Sequence, residues 1–262
     1  MQAAALPILF LSHGSPMHAL QPGAVRGVWE RIARELPRPK AILIASAHWE
    51  TDVPAVTGAA KPETIHDFYG FPKPLYGIQY RANGDPDLAS RCVDLLNESG
   101  LKAKTDPVRG LDHGAWSPLL HMYPKADVPV VQVAVQTALG TQHHIEVGRA
   151  LAPLARERVL IVGSGHLTHN LRDRTGEENT GGPAAYAREF QAWVKERIDA
   201  HALDELADYR RLSRDGVRAH PTDEHFLPLF FALGAAGDDY KAERLYDGIE
   251  MGALAMDAYR FS

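Results

Sequence analysis

Four short segments of the chain are almost continuously apolar, at residues 7–11, 41–46, 128–135 and 158–163. Strands that are buried on both faces of a sheet have this composition. Between and after these segments, apolar residues recur with helical spacing over residues 24–36, 87–99, 143–156, 183–200 and 222–235. The alternation predicts an α/β fold: a single domain over residues 1–262, with a mixed, largely parallel sheet and helices on both faces.

Residues 61–80 interrupt this alternation with a stretch rich in proline, glycine and aromatic side chains. Long loops inside a compact domain usually carry function or are disordered, and the aromatic residues favour an ordered loop here. We therefore expect this segment to lie beside a functional site.

Composition narrows the class of protein. The 262 residues carry a net charge of -5, which argues against a nucleic-acid partner because such proteins need a basic surface. The chain has no run of about 18 apolar residues, so we expect no membrane span. The first residues lack the charged start of a signal peptide. The single cysteine, Cys92, fits a reducing compartment. These features together predict a cytoplasmic protein.

Histidine is unusually frequent, with 13 in the chain, and three of them follow predicted strands. His13 comes after the first strand, His48 after the second and His169 in the turn after the fourth. Because ligands bind outside the carboxyl ends of parallel strands, we expect the three rings to converge at one edge of the sheet. Each ring alone could be a capping or loop residue, but together they indicate metal or proton-transfer chemistry.

A fourth histidine lies at the start of the last predicted helix, where Thr222 is the expected N-cap. With roughly 100° between successive residues, Glu224 points away from the apolar face and His225 lies at its flank. We therefore predict that His225 is a ligand and that Glu224 is solvated. A structural role for His225 in the first helical turn is the alternative.

His113 lies in a predicted loop, residues 111–116, beside the flexible Gly114 and the bulky Trp116. This composition suits the wall of a pocket. A simple turn stabilised by Asp112 would have the same sequence, so both interpretations stay open.

The remaining histidines have weaker assignments. His166 precedes His169 by three residues and could face the same site or point elsewhere. The pair His143 and His144 opens a predicted helix and is expected at the surface. The others flank the predicted site, or lie in helices without an evident partner, and receive no direct role: His18, His66, His121, His201 and His220.

The predicted ligands leave the choice of metal open. Three neutral imidazoles with one open position suit zinc, iron, copper or nickel. The familiar non-haem iron site has two histidines and a carboxylate. The sequence offers no obvious carboxylate beside these histidines, which weakens the case for iron on chemical grounds.

Six segments in the same order resemble the 4,5-DOPA dioxygenase branch of the class III (LigB-type) extradiol dioxygenases. They are residues 9–17 (LFLSHGSPM), 46–49 (SAHW), 65–72 (IHDFYGFP), 111–116 (LDHGAW), 169–171 (HNL) and 220–229 (HPTDEHFLPL). The resemblance runs from about residue 8 to residue 252, nearly the whole chain. It implies an α/β domain with a metal near the edge of the sheet.

The resemblance also implies roles for single residues. His13, His48 and His225 would bind the metal, with His225 standing where other class III enzymes supply a glutamate. His169 would be the catalytic acid–base residue, close enough to be counted among the ligands, and His113 would contact the substrate. The implied reaction opens a catechol such as DOPA with O2. Fe(II) is the implied cofactor; Zn(II) is described for members of this branch but has no redox chemistry.

Two other functions could use these residues or this fold. A zinc hydrolase would use a His-bound hydroxide as its nucleophile. A non-enzymatic interaction protein would be similar to the Memo proteins, which share the fold, but the five histidines that match the family's site argue against it. A serine hydrolase is disfavoured because Gly163, Ser164 and Gly165 lack the spacing of a nucleophile elbow.

Overall fold

The computed structural model describes residues 5–21, 23–175 and 182–262. Within these residues the strands are β1 (Ile8–Ser12), β2 (Ala41–Glu50), β3 (Ala55–Thr57), β4 (Lys104–Asp106), β5 (Val130–Val135), β6 (Val159–Gly165), β7 (Ala242–Tyr246), β8 (Ile249–Glu250), β9 (Leu254–Ala255) and β10 (Ala258–Phe261). Eight of them form one sheet in the order β4-β3-β5-β2-β6-β1-β10-β7, and β8 pairs with β9.

The centre of this sheet is parallel. β5, β2, β6 and β1 are consecutive neighbours, and each pair runs in the same direction. At one side of the sheet, β10 is antiparallel to β1 and β7 is antiparallel to β10. At the other side, β3 is antiparallel to β5. The predicted mixed, largely parallel sheet is confirmed. Because the four central strands are parallel, their carboxyl ends lie along one edge, hereafter the carboxyl edge.

Helices cover both faces of the sheet. They are α1 (Val25–Glu35), α2 (Pro86–Glu98), α3 (His113–Met122), α4 (Gly140–Leu151), α5 (Ala185–Asp199), α6 (Leu203–Ala207), α7 (Tyr209–Leu212), α8 (Gly216–Ala219) and α9 (Leu227–Ala236). In β2, Ile42 and Ile44 pack into the core under α1 and α3, whereas Leu43 and Ala45 pack into the core under α2, α4, α5 and α9. Successive strand residues alternate between two faces, and the predicted covering of both faces is confirmed.

Two glycines bring the start of α9 to the carboxyl edge. α9 is apolar on all sides, and its residues Leu227 to Ala235 are buried. A side chain at Gly163 of β6 would collide with the carbonyl oxygen of Pro228, and one at Gly165 with the carbonyl oxygen of His225. Because glycine has no side chain at either position, the segment that carries His225 can lie directly against the end of β6.

Three predicted element boundaries are wrong, and each error changes the structural element in which a candidate residue lies. β2 continues to Glu50, so His48 lies within the strand and not in a turn after it. α9 begins only at Leu227, because Pro228 has no N–H to donate to a preceding helical turn. Residues 221–226 therefore form bends and turns, so the direction of the His225 side chain does not follow from helical spacing. Residues 113–122 form α3, so His113 begins a helix and does not lie in a loop.

Other parts of the fold were not predicted. The short strands β3 and β4 and the four C-terminal strands were missed. The predicted helix over residues 143–156 is divided into α4 and a 3₁₀ turn, Ala152–Glu157, which has Pro153 in its first turn. Among the described residues, no helix is both long enough and apolar enough to cross a lipid bilayer.

Candidate metal centre

The histidines singled out in the sequence meet at the carboxyl edge. His13 follows β1, and His48 lies near the end of β2. Ligand atoms lie within 4.8 Å of one another in two groups, one of His13, His48 and His113 and one of His169, Glu224 and His225. The two groups join where the Nε2 atoms of His48 and His225 are 3.3 Å apart. The three rings expected at this edge, His13, His48 and His169, therefore do lie together, and His113 and His225 lie beside them.

Nε2 of His48 is spaced from two other Nε2 atoms as ligands of one metal ion are spaced. Nε2 of His48 lies 3.0 Å from Nε2 of His13 and 3.3 Å from Nε2 of His225. With metal–nitrogen bonds of about 2.0–2.1 Å, two ligand atoms are about 3.0 Å apart at a right angle and about 3.4 Å apart at a tetrahedral angle. Both observed distances fall in that range, so these side chains fit a bound divalent metal.

Hydrogen bonds fix the ring protons of His13 and His225 on the outer nitrogens. Nδ1 of His13 lies 3.1 Å from Oγ of Ser164, and that hydroxyl donates its own hydrogen to the carbonyl oxygen of Gly114 at 2.5 Å. The hydroxyl can therefore only accept from His13. Nδ1 of His225 lies 3.0 Å from Oε1 of Glu224, which also can only accept. Both rings carry their proton on Nδ1, and each Nε2 is left with a free lone pair.

His48 also lies beside a carboxylate, but its contact is electrostatic and not a hydrogen bond. Its Nδ1 lies 3.3 Å from Oδ2 of Asp67, whose negative charge favours a proton on Nδ1, while that oxygen accepts its hydrogen bond from His113. Nε2 of His48 then lies at hydrogen-bond distance from two other nitrogen lone pairs, those of His13 and His225, without a hydrogen between them. This is repulsive unless a cation lies among them. The combination of distances and tautomers fits a candidate metal centre in which Ser164, Asp67 and Glu224 lie beside the outer nitrogens of the possible ligands.

Burial keeps these rings neutral. Desolvation lowers the pKa of His13, His48 and His225 well below the usual histidine value, and the neighbouring histidines lower it further. For His48, the Asp67 carboxylate acts in the opposite direction. Metals bind neutral imidazole, so at neutral pH a proton does not compete with a metal for these nitrogens.

His169 lies against this group through its ring. The rings of His169 and His225 are stacked, with centroids 3.5 Å apart and an angle of 12° between their planes. Burial, with the proximity of His113 acting in the same direction, lowers the pKa of His169 to about 4. A neutral imidazole therefore stands beside the candidate ligands, able to accept a proton.

His113 is held at the start of α3 by two carboxylates. Asp112 is the N-cap of the helix and accepts the backbone N–H of Ala115 at 3.2 Å. Asp67 accepts both the backbone N–H of His113 at 2.9 Å and its ring Nδ1–H at 2.8 Å. Burial alone would raise the pKa of Asp67, but its hydrogen bonds with His113 and the proximity of the His113 and His48 rings lower it to about 2. Asp67 is therefore ionised.

Comparison with known proteins agrees with this geometry. The family of the catalytic LigB subunit of aromatic ring-opening dioxygenase matches residues 7–261. The chain is 43% identical to the 4,5-DOPA dioxygenase extradiol of Beta vulgaris, over 97% of this chain and 95% of that protein. It is 38% identical to the protein of the same name in Escherichia coli K12, over 98% and 94%. This chain belongs to the LigB family.

A solved structure supports the same assignment. The crystal structure of an uncharacterised Escherichia coli K12 protein has a TM-score of 0.82 and 34% sequence identity, and the match covers 98% of this chain and 100% of that one. The matching family is that of the catalytic LigB subunit of aromatic ring-opening dioxygenase, and similar proteins along nearly the whole chain are named 4,5-DOPA dioxygenase extradiol. The chain is therefore an enzyme of the extradiol dioxygenase class.

In this LigB-family protein, His166 is committed to the backbone. Its Nε2 lies 3.1 Å from the backbone N–H of Gly14 and must accept from it. That nitrogen has no lone pair left for a metal, so the ambiguity between His166 and His169 is resolved against His166 as an Nε2 ligand. The bond also ties the end of β6 to the residue that follows His13.

Two predictions for single residues are wrong. Glu224 is not solvated: its side chain is only 18% exposed and accepts from both His225 and the hydroxyl of Thr222. His144 is not at the surface, because it is 1% exposed and its Nε2 accepts the backbone N–H of Gln136. The helical pattern of α4 did not reveal this ring because its apolar neighbours already account for the buried face.

The histidines without a predicted role mostly bond to backbone carbonyl groups. The Nε2 atoms of His66, His121 and His220 donate to Ile78, His18 and Leu167. His121 thus has a partner that the sequence did not indicate. His18 differs, since its Nε2 lies 2.8 Å from a carboxylate oxygen of Glu250. These contacts hold the loops around the metal centre.

The loop over residues 61–80 forms an aromatic wall beside His113. The ring of Phe68 lies 5.6 Å from the ring of His113, and Phe71 and Tyr76 lie 5.3 Å from Phe68. The expectation of an ordered loop next to the site is confirmed. The same loop supplies Asp67, which sequence analysis missed, since no spacing rule links it to His48 or His113.

Proposed function

We propose that this LigB-family protein opens a catechol ring with O2 at a metal ion held by His13, His48 and His225. The observation that carries the proposal is the convergence of three Nε2 atoms whose ring protons lie on the opposite nitrogens. We propose Fe(II) as the active cofactor, because an iron ion supplies the electron transfer that ring opening needs and Zn(II) does not.

His169 and His113 are the proposed proton-transfer residues. His169 is neutral at pH 7 because its pKa is about 4, so it can take a proton from a catechol hydroxyl and return it later. Stacking on His225 keeps it beside the ligands. His113, whose Nδ1 is bonded to Asp67, has its Nε2 free for a substrate hydroxyl. Phe68 provides an apolar surface next to it for a flat ring.

DOPA is the first substrate to test. The relatives from Beta vulgaris and Escherichia coli are named 4,5-DOPA dioxygenases, which supports a catechol of this kind for the present chain. The proposed partners are thus a small catechol and O2, and the proposed location is cytoplasmic.

Reconstitution with a single metal tests the proposal. The metal-free protein is loaded without air with either Fe(II) or Zn(II), and DOPA is then added in air. We expect oxygen uptake and a yellow ring-opened product with iron, and neither with zinc or with the metal-free protein. Ester hydrolysis by the zinc form, together with no oxygen uptake by the iron form, would instead support the zinc hydrolase.

A further inference from the structure

Asp67 reaches one histidine with both of its carboxylate oxygens. Oδ1 accepts the backbone N–H of His113 at 2.9 Å, and Oδ2 accepts its ring Nδ1–H at 2.8 Å. The side chain of Asp67 is 18% exposed and that of His113 is 6% exposed. A two-point contact of this kind fixes the backbone and the ring of His113 with respect to the same group.

This contact determines which nitrogen of His113 is free. A carboxylate can only accept, so Nδ1 carries a proton, and in the neutral ring Nε2 then has a free lone pair. The ring lies beside the candidate ligands, with its centroid 3.9 Å from that of His48 and 5.4 Å from that of His13. The free nitrogen of His113 thus belongs to a ring at the metal centre.

The loop that carries Asp67 is held in place by other bonds. Ile65 donates its backbone N–H to Leu111 and accepts the indole N–H of Trp116. Thr64 exchanges hydrogen bonds with Tyr80, at the far end of the loop. Because the loop is anchored on both sides of Asp67, its carboxylate is not needed to hold it against α3.

We propose that Asp67 is a positioning residue for His113: it holds the ring in the tautomer whose Nε2 accepts a proton from the substrate. This inference rests on the proposed function for its catalytic consequence. Its structural part, the tautomer of His113, can be tested without turnover.

Asp67→Asn removes the charge with little change in shape. An amide offers one oxygen acceptor and one N–H₂ donor, whereas His113 presents two donors to this group. When the amide oxygen keeps the backbone N–H, its N–H₂ faces Nδ1 and stabilises the opposite tautomer. The analogous change in the serine-protease triad has this consequence and lowers kcat by about 10⁴.

The first measurement is nuclear magnetic resonance of the zinc-loaded protein with ¹⁵N-labelled histidine. Correlations between ring nitrogens and ring carbon-bound protons distinguish the two tautomers. We expect the proton of His113 on Nδ1 in the natural chain and on Nε2 in Asp67→Asn. A proton that stays on Nδ1 in the variant overturns the proposal, whatever the activity.

The second measurement is turnover of the iron-loaded protein with DOPA. We expect kcat of Asp67→Asn to fall about 10²- to 10⁴-fold, with KM changed only a few-fold and one metal still bound per chain. Loss of metal would mean that Asp67 acts through His48, which is 3.3 Å away, and would overturn the proposal. Asp85→Asn is the matched control, because Asp85 only caps α2 by accepting the N–H of Leu88, and its kcat should not change.

A double substitution tests whether Asp67 acts through His113. If it does, Asp67→Asn adds no further loss of kcat to a protein that already carries His113→Ala. Losses that multiply would contradict the proposal. Absence of oxygen uptake by the unaltered iron-loaded protein would count against the proposed function, whereas the tautomer measurement would still decide the role of Asp67.

Discussion

Burial of neutral histidines predicts that the metal-free protein loses stability as the pH falls below neutral, and His144 isolates the contribution of one ring. Its Nε2 accepts the backbone N–H of Gln136 at 3.0 Å, and its Nδ1 donates to the carbonyl oxygen of Gly140 at 2.6 Å. Burial lowers its pKa from 6.5 to about 4, against the opposing effect of the bond to Gly140.

The sign of the effect follows from the direction of this shift. Between pH 6.5 and pH 4 the unfolded chain binds a proton at His144 and the folded chain does not. Unfolding is therefore favoured as the pH falls. The stability that the neutral His144 ring contributes is present above pH 6.5 and decreases as the pH falls from 6.5 to 4. For one such ring, the free energy of unfolding at pH 5.5 is about 1.3 kcal/mol lower than at pH 7.5.

The measurement compares His144→Gln with the unaltered protein by urea unfolding in the presence of a chelator. Glutamine can both accept and donate, so it can replace the two hydrogen bonds without a titrating ring. Between pH 7.5 and pH 5.5, we expect the variant to lose about 1.3 kcal/mol less stability than the unaltered protein. Between pH 7.5 and pH 8.5 the difference between the two should be constant. An equal loss of stability in both proteins at pH 5.5 would refute the reasoning.

Three further substitutions test the metal centre. His48→Ala is expected to lose Zn(II) on dialysis, because its Nε2 lies next to both other candidate ligand atoms; a variant that retains one zinc per chain would contradict this. His169→Ala should keep its metal but lose about 10²- to 10⁴-fold in kcat, and undiminished turnover would exclude it as the acid–base residue. Ser164→Ala frees Nδ1 of His13 and should weaken zinc binding about 10- to 100-fold in a competition titration, whereas an unchanged Kd would mean that the hydroxyl does not orient the ring.

The central strands of the sheet could be predicted from the sequence because each contains a run of mostly apolar residues. β1, β2, β5 and β6 are almost entirely buried, so each contains a predominantly apolar segment. β10 has no such segment: Arg260 interrupts it, yet the strand pairs with β1 in the sheet. Pairing of that kind depends on tertiary contacts, which a local pattern does not contain.

The part of the candidate site that lies at the ends of parallel strands was predicted from the sequence. His13 and His48 were placed by the rule for parallel strands, and the structure brings them together. His225 was identified for a reason that is wrong, since it precedes α9 and does not lie in it. Asp67 was missed because its partner, His113, lies 46 residues later, on a separate helix. Contacts across such a separation follow from the fold and not from spacing.

The position of the carboxylates bears on the choice of metal. The sequence offered no carboxylate as a ligand, which weighed against iron. The structure has two carboxylates one layer further out, Asp67 beside Nδ1 of His48 and Glu224 beside Nδ1 of His225. A carboxylate that accepts the outer ring proton raises the basicity of the coordinating nitrogen and brings negative charge near the metal. Two of the three imidazoles have such a carboxylate beside them, and His13 has the Ser164 hydroxyl, so the set is more electron-donating than three isolated imidazoles. The missing carboxylate ligand therefore no longer argues against a redox-active ion at this centre.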